Sequence, residues 1–123
     1  MKIVEIAFTG YPVTDMQRAR AFYEGVLNLQ STRTFEKGGR YWIEYDLGPS
    51  TFAISNMTLE DWKPSADGPS IAFEVEDFDS AVAGLRSNNA RFVLDPFETP
   101  VCRMTIVSDP DGNSICIHQR HSR

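Results

Sequence analysis

The sequence predicts an α+β fold built from two βαβββ modules, and three observations point to it. The chain has 123 residues, 41% of them apolar, enough for one compact core. Laid on itself with a shift of 62, it places Val13-Thr14-Asp15 over Val75-Glu76-Asp77, Ala19 over Ala81, Ala21 over Ala83, and Phe35-Glu36 over Phe97-Glu98. Hydrophobic periodicity changes in the same order in both halves, from strand-like to helical and back to strand-like. A shift of 63, allowing one extra residue in the second hairpin, then brings Arg40 over Arg103, Asp46 over Asp109 and Phe52-Ala53-Ile54 over Ile115-Cys116-Ile117. The expected organisation is one domain over 1–123, with module 1 at about 1–55, a linker at about 56–68 and module 2 at about 69–119.

Each element has a local reason. Lys2 to Val13 is largely apolar and β-compatible, and Thr14 with Gln17 has the spacing of a capping box. Met16, Ala19, Phe22, Tyr23, Val26 and Leu27 then recur at helical spacing, which leaves Arg18, Arg20 and Glu24 toward solvent. Strands follow at Leu29 to Glu36 and Arg40 to Leu47, across a Lys37-Gly38-Gly39 turn whose glycines accept positive φ. Gly48-Pro49 precedes a last strand, Thr51 to Ser55. The linker holds a helical turn at Thr58 to Trp62 and then turn-forming residues. In the second half Pro69 to Val75 is a strand, and Asp77 caps a helix with Phe78, Ala81, Val82 and Leu85 on one face. Asn88-Asn89 ends that helix, and Arg91 to Phe97, Val101 to Val107 and Asn113 to His118 are strands, the last after an Asp109-Pro110-Asp111-Gly112-Asn113 turn.

Composition removes several function classes. With 12 basic against 17 acidic residues the formal charge is -5, and no basic run offers the footprint of a nucleic-acid or anionic-membrane binder. Glu5 interrupts what would be the apolar region of a leader in Met1 to Phe8, so a soluble cytoplasmic protein is expected. Cys102 and Cys116 lie 14 apart, as suits two reduced thiols.

Asp15, Ala19 to Tyr23 with its Ala-Phe-Tyr, and Val26-Leu27-Asn28-Leu29 resemble the Asp, Ala-x-x-Phe-Tyr and Leu-Gly-Leu signature that opens vicinal-oxygen-chelate domains, with Asn28 in place of glycine. Phe73-Glu74-Val75-Glu76-Asp77 resembles the start of that family's second module, and Asp109 to Asn113 the turn before its last strand. The superfamily includes glyoxalase I, bleomycin-resistance proteins, fosfomycin-resistance thiol transferases, methylmalonyl-CoA epimerase and extradiol dioxygenases. The resemblance implies a mixed sheet curled into a U, helices on its convex face, a pocket inside and a homodimer.

Metal-dependent members carry four ligands, one on the first and one on the last strand of each module. Counting seven back from Asp15 and Asp77 gives Phe8 and Ser70, and the last strands offer Ala53 and Cys116. Only Cys116 is a good ligand, so no metal and no other cofactor is expected. A divalent metal held through atypical ligands such as Glu44, Cys116 or His118, with His121 nearby, is the runner-up.

Strand alternation assigns the rest of the cleft. Tyr41, Ile43, Tyr45 and Leu47 are expected to face the helices, leaving Arg40, Trp42 and Glu44 inward. Repeat symmetry then sends Cys102, Met104 and Ile106 to the helix layer and Arg103 and Thr105 inward, joined by Phe8, Ala53, Ser70, Ala72, Cys116 and His118. Arginine suits a carboxylate or phosphate, so the expected ligand is a small anionic or aromatic molecule stacked on Trp42 and held by Arg40 or Arg103. The plain alternative leaves Arg40 solvated and pairs Arg103 with Glu44. Glu44 is the candidate general base if burial raises its pKa. The function expected first is metal-free small-molecule binding. Its alternatives are a metal-dependent lyase, isomerase or dioxygenase, and a ligand-free dimeric structural or regulatory module.

Overall fold

A computed structural model of the chain describes residues 1–57 and 59–121, so Thr58, where the sequence places the start of a helical turn, and Ser122 and Arg123 lie outside it. Two compact units, Met1–Pro64 and Ser65–Arg123, each carry one four-stranded sheet. The elements of the first are β1 (Thr9–Pro12), α1 (Met16–Arg20, continuing as a π-helical stretch over Ala21–Val26), β2 (Arg33–Lys37), β3 (Arg40–Leu47) and β4 (Ser50–Ser55). The second repeats them as β5 (Ile71–Glu74), α2 (Phe78–Ser87), β6 (Arg91–Glu98), β7 (Cys102–Ser108) and β8 (Ser114–Arg120). Strand orders correspond, β1-β4-β3-β2 and β5-β8-β7-β6, with one parallel pair closing each sheet. The α+β class and the two βαβββ modules are those the sequence predicts.

Unit 1 starts later than expected. Residues 1–8 are exposed and outside the sheet, and β1 pairs only from Thr9 to Pro12 along Phe52 to Ser55. The helix is capped by Asp15, whose carboxylate accepts the Arg18 N–H at 3.0 Å, rather than by Thr14. A carboxylate is the stronger acceptor for that orphan donor, and the Thr14 hydroxyl instead accepts from Arg18 Nη2 at 3.3 Å. The helix then widens: Leu27 N–H donates to the Phe22 carbonyl and Leu29 N–H to that of Tyr23, both at 3.0 Å. Asn28 stands at φ 59° and Asn89 at φ 58°, so asparagine supplies the left-handed residue that ends each helix.

The unit 1 core gathers on Phe52, whose ring meets Tyr11 at 5.5 Å, Tyr23 at 5.2 Å and Tyr45 at 6.2 Å. Ile43 and Tyr45 are fully buried, as alternation requires of the helix-facing side of β3. The polar end of Tyr45 is satisfied there: its hydroxyl donates to Glu24 Oε2 at 2.8 Å, and Arg20 Nε reaches the same oxygen at 2.6 Å. Glu24 is therefore part of the packing between helix and sheet rather than a purely solvent-facing residue.

In unit 2 Asp77 caps α2 through Ser80 N–H at 3.1 Å, as expected. Gln119 of β8 fixes the start of that helix, accepting from Phe78 N–H and donating to the Glu76 carbonyl, each at 2.9 Å. The Asp109 to Asn113 turn is held by buried Asp109, which accepts from Asp111 N–H, Asn113 N–H and Asn113 Nδ2 at 2.8 to 2.9 Å.

The repeat is real but its extra residue sits elsewhere. Gly10 pairs with Ala53 and Ala72 with Cys116, while Glu44 pairs with Ala53 and Ile106 with Cys116. Glu44 therefore corresponds to Ile106, Trp42 to Met104, and Arg40 to Cys102. The insertion lies in the Asp109 to Asn113 turn, not in the hairpin before β7. One residue of offset exchanges the two faces of a strand. Arg103 and Thr105 accordingly face α2: Arg103 lies 4.7 Å over the Phe78 ring and pairs with Asp79 at 2.7 Å, and fully buried Thr105 donates to the Leu94 carbonyl at 2.6 Å. The expectation that both turn away from the helix is corrected.

Burial first, and the hydrogen bond to Glu24 second, push the Tyr45 hydroxyl far above the ordinary tyrosine range. A raised folded-state pKa contributes stability that is complete below about pH 10, the unfolded value, and is lost as pH rises beyond it. Tyr45→Phe is expected to cost about 1–2 kcal/mol in urea unfolding at neutral pH, since Glu24 loses a donor, and to flatten the alkaline loss. Identical unfolding curves for the two proteins would refute the role given to this bond.

Candidate functional site

The sheet face of unit 1 away from its helix carries an aromatic group built from three parts of the chain. Trp42 projects from β3 opposite the buried Ile43 and Tyr45, and Phe8, two residues before Gly10, meets it edge to face at 5.0 Å. Phe35, the β2 partner of Trp42, is 56% exposed beside it. Trp62 comes from the stretch after β4. A Cβ on Gly10 would stand 3.2 Å from Trp62 Cη2 and 3.7 Å from Trp42 Cη2, so the outer corners of both indoles converge over this glycine. Both indoles remain half-buried.

Charges line one edge of this group. Trp42 Nε1 donates to Glu44 Oε2 at 2.9 Å, and Arg33 Nε donates to Glu44 Oε1. Arg33 also reaches Asp46 Oδ1 at 2.7 Å, an oxygen that accepts from the Thr51 hydroxyl at 2.8 Å. The Trp42 N–H first, and Arg33 second, hold the Glu44 carboxyl below the usual carboxylate range. Arg33 does the same for Asp46. Glu44 is thus an ionised acceptor, not the general base with a raised pKa that the sequence suggested. Arg40 is occupied differently, donating from Nη1 to the Asn56 carbonyl at 2.7 Å.

The corresponding face of unit 2 has different chemistry. Met104 and Ile106 stand where unit 1 has Trp42 and Glu44, beside Cys116 and His118 of β8 and Ala72 and Glu74 of β5. His118 Nδ1 lies 2.6 Å from Glu74 Oε1, and the Arg120 N–H donates to Glu74 Oε2 at 2.8 Å. That N–H first, then His118, holds the Glu74 carboxyl low. Burial raises the Cys116 thiol, which keeps it protonated and a poor nucleophile at neutral pH. Ser70 is exposed ahead of β5.

The donor set does not suit a metal of the kind the resemblance implies. Phe8, Gly10, Ala53 and Ala72 supply no ligand atom, and Cys116 is a buried, protonated thiol. Among the described residues no group of three His, Cys, Asp or Glu side chains is placed to hold an ion. Glu44, Cys116 and His118, offered as atypical ligands, have partners or surroundings of their own: Trp42 and Arg33, an apolar strand face, and Glu74. His121 lies 3.2 Å from the Thr99 carbonyl and 3.4 Å from Glu98.

Trp62, Arg33 and Glu74 are the residues that sequence reading missed. A tryptophan among Glu60, Asp61, Lys63 and Pro64 was the available signal, because so large an apolar ring is out of place in a solvated linker.

The family model described as Glyoxalase/Bleomycin resistance protein/Dioxygenase superfamily matches residues 3–117. Among solved structures, the fold is similar to TnmS3, an antibiotic binding protein from Streptomyces sp. CB03234, at 21% identity over 98% of this chain and 99% of that one, with a TM-score of 0.80. A putative glyoxalase family protein from Bacillus anthracis is 22% identical over 98% of each chain, with a TM-score of 0.78. A superfamily member from Sphaerobacter thermophilus DSM 20745 is 21% identical over 95% of this chain and 98% of that one, with a TM-score of 0.75. Comparison with curated protein sequences finds no match. No helix among the described residues is long and apolar enough to cross a membrane.

Two outcomes test this geometry. Gly10→Ala is expected to move the Trp62 ring by a few tenths of an ångström, shifting tryptophan emission while the far-ultraviolet circular dichroism stays unchanged; unaltered emission would show that Trp62 does not sit over Gly10. A depressed folded-state pKa makes the Glu44 contribution complete above about pH 4.3 and lost as pH falls below it. Glu44→Gln should therefore weaken the dependence of stability on pH on the acid side, measured by thermal unfolding.

Proposed function

Because this chain belongs to the Glyoxalase/Bleomycin resistance protein/Dioxygenase superfamily, a scaffold that hosts binders and enzymes alike, we propose its function from its own surface: it binds a planar aromatic small molecule, without a metal, against Trp42 and Trp62. One observation carries this reading, the convergence of two half-buried indoles over a glycine, flanked by Phe8. A dry core does not need Gly10 there, whereas a stacking surface needs room for rings to approach. The antibiotic-binding neighbour supports it as a precedent for small-molecule binding on this scaffold.

Of the two arginines considered for an anionic ligand, Arg103 pairs with Asp79 on the helix side of its sheet, while Arg40 shares the Trp42 face of unit 1, gives one N–H to the Asn56 carbonyl and keeps its positive charge. The aromatic wall carries the reading. Glu44, fixed by Trp42 and Arg33, orients the Trp42 ring rather than moving protons.

The test uses the chain's own fluorophores, since Trp42 and Trp62 are its two tryptophans. Planar bicyclic compounds, among them quinoline, 2-naphthol and N-methylquinolinium, are expected to quench emission saturably. Stacking on one aromatic side chain is worth about 1–3 kcal/mol, so Trp42→Ala should weaken binding by about tenfold or more, and Trp62→Ala similarly. Absence of saturable quenching across the set, confirmed by equilibrium dialysis, would overturn the proposal.

A further inference from the structure

The sheet face that carries Trp42 is charged in bands, and the inference drawn from them rests on the aromatic-binding reading. Residues directly opposite on an antiparallel pair share a face, so Lys37 with Arg40, Phe35 with Trp42 and Arg33 with Glu44 are successive rungs on it. At the Glu44 end the charge of Arg33 is compensated, because Glu44 and Asp46 both engage it. At the hairpin end the sign is positive and uncompensated. Among the described residues neither Arg40 nor Lys37 is in an ion pair, and Glu60 and Asp61, which precede Trp62, engage neither of them. Glu36, the nearest acid in sequence, lies on the opposite face with Tyr41 and accepts from the Gly39 N–H at 3.0 Å. Glu44 stands four residues from Arg40, about 13 Å along the strand, and already holds Trp42 and Arg33.

Arg40 is also held in a direction that suits a ligand on the indoles. Its Nη1 donates to the Asn56 carbonyl at 2.7 Å, and Asn56 follows Ser55, the β4 partner of Trp42. The guanidinium therefore leans across β4, as the Trp42 ring does in reaching Gly10 on the β1 side of that strand. A neutral carbonyl takes one N–H and leaves the charge and the other donors of the fork in place. Arg40 and Lys37 are both exposed.

We propose that the planar molecule taken at the Trp42–Trp62 surface is an aromatic carboxylic acid, with its ring on the indoles and its carboxylate on Arg40, and with Lys37 as the second cation. A guanidinium already fixed by Asn56 loses less rotamer freedom when the acid binds, and its planar fork matches a carboxylate. A neutral ring gains the stacking alone, and a cation meets two like charges. The formal charge of -5 opposes an anion at long range, so selectivity for one arises only in direct contact with these two side chains.

Three probes of similar size separate the possibilities: 2-naphthoate, its uncharged analogue 2-naphthamide, and N-methylquinolinium. Equilibrium dialysis at neutral pH is expected to show the acid about tenfold tighter than the amide and the cation no tighter than the amide. Arg40→Gln should bring 2-naphthoate to the affinity of the amide while the amide itself is unaffected. Lys37→Gln leaves the Arg40–Asn56 bond in place and should narrow the gap in the same direction, which keeps the test intact if Arg40→Gln folds poorly. Arg18→Gln makes the same change of net charge on α1, on the other side of the sheet, and should leave the gap as it is. Equal affinity for acid and amide, or a gap that Arg18→Gln closes as much as Arg40→Gln and Lys37→Gln do, would overturn the acid inference while leaving aromatic binding standing. Failure of all three probes to bind would overturn the aromatic reading and this inference with it.

Discussion

The parallel pairing that closes each sheet sets everything that follows in it. Gly10 against Ala53 and Ala72 against Cys116 fix the last strand, and the hairpin before that strand then dictates which side chains of β3 and β7 meet the helix. Because side chains alternate with a period of two, no intermediate arrangement exists. In unit 1 the tight Gly48-Pro49 connection keeps Ile43 and Tyr45 inside and Trp42 and Glu44 outside. In unit 2 the longer Asp109 to Asn113 turn takes up one residue, and its buried Asp109 satisfies the extra backbone N–H groups locally. The register of the ladder is thereby preserved, and Thr105 rather than Met104 enters the core.

Two modules with one topology have consequently diverged in the chemistry of their outward faces. Unit 1 presents indole rings and an ionised carboxylate pair; unit 2 presents Met104, Ile106 and a Glu74–His118 pair. The acidity of the chain is not confined to surfaces remote from the candidate site. Glu44 and Asp46 lie along the same strand as Trp42, and donors hold both carboxyls low, Trp42 and Arg33 on Glu44 and Arg33 and Thr51 on Asp46. Fixed donors to a carboxylate favour the charged form, which is the opposite of what desolvation alone would do.

Much of the architecture was legible because it depends on local chemistry. The limits of β3, the Asp77 cap and the asparagine stops of both helices follow from alternation, capping and the tolerance of asparagine for positive φ. Local signals misled where two neighbours offered similar chemistry, as Thr14 and Asp15 did for the first cap. They also misled where an apolar run lacked a partner strand, as in residues 1–8. The candidate site was half legible. Trp42 and Glu44 share one face of β3 and Phe8 precedes β1, but Arg33 reaches Glu44 only through the β2–β3 register, and Trp62 reaches Gly10 only by folding back of a stretch that has no periodicity.

By itself the sequence determined the number of modules, the order of their elements and the family resemblance, because these rest on periodicity, turn residues and motif spacing along one dimension. The tertiary structure alone decided which face each strand residue occupies in the second unit and which partner each charge takes. Repeat alignment cannot locate an inserted residue between two hairpins of similar composition, and a shift of one position reverses the face. Arg40, Arg103 and Glu44 carry the same formal charges in either reading, but Asn56, Asp79 and Arg33, the groups that engage them, are brought near only by the fold.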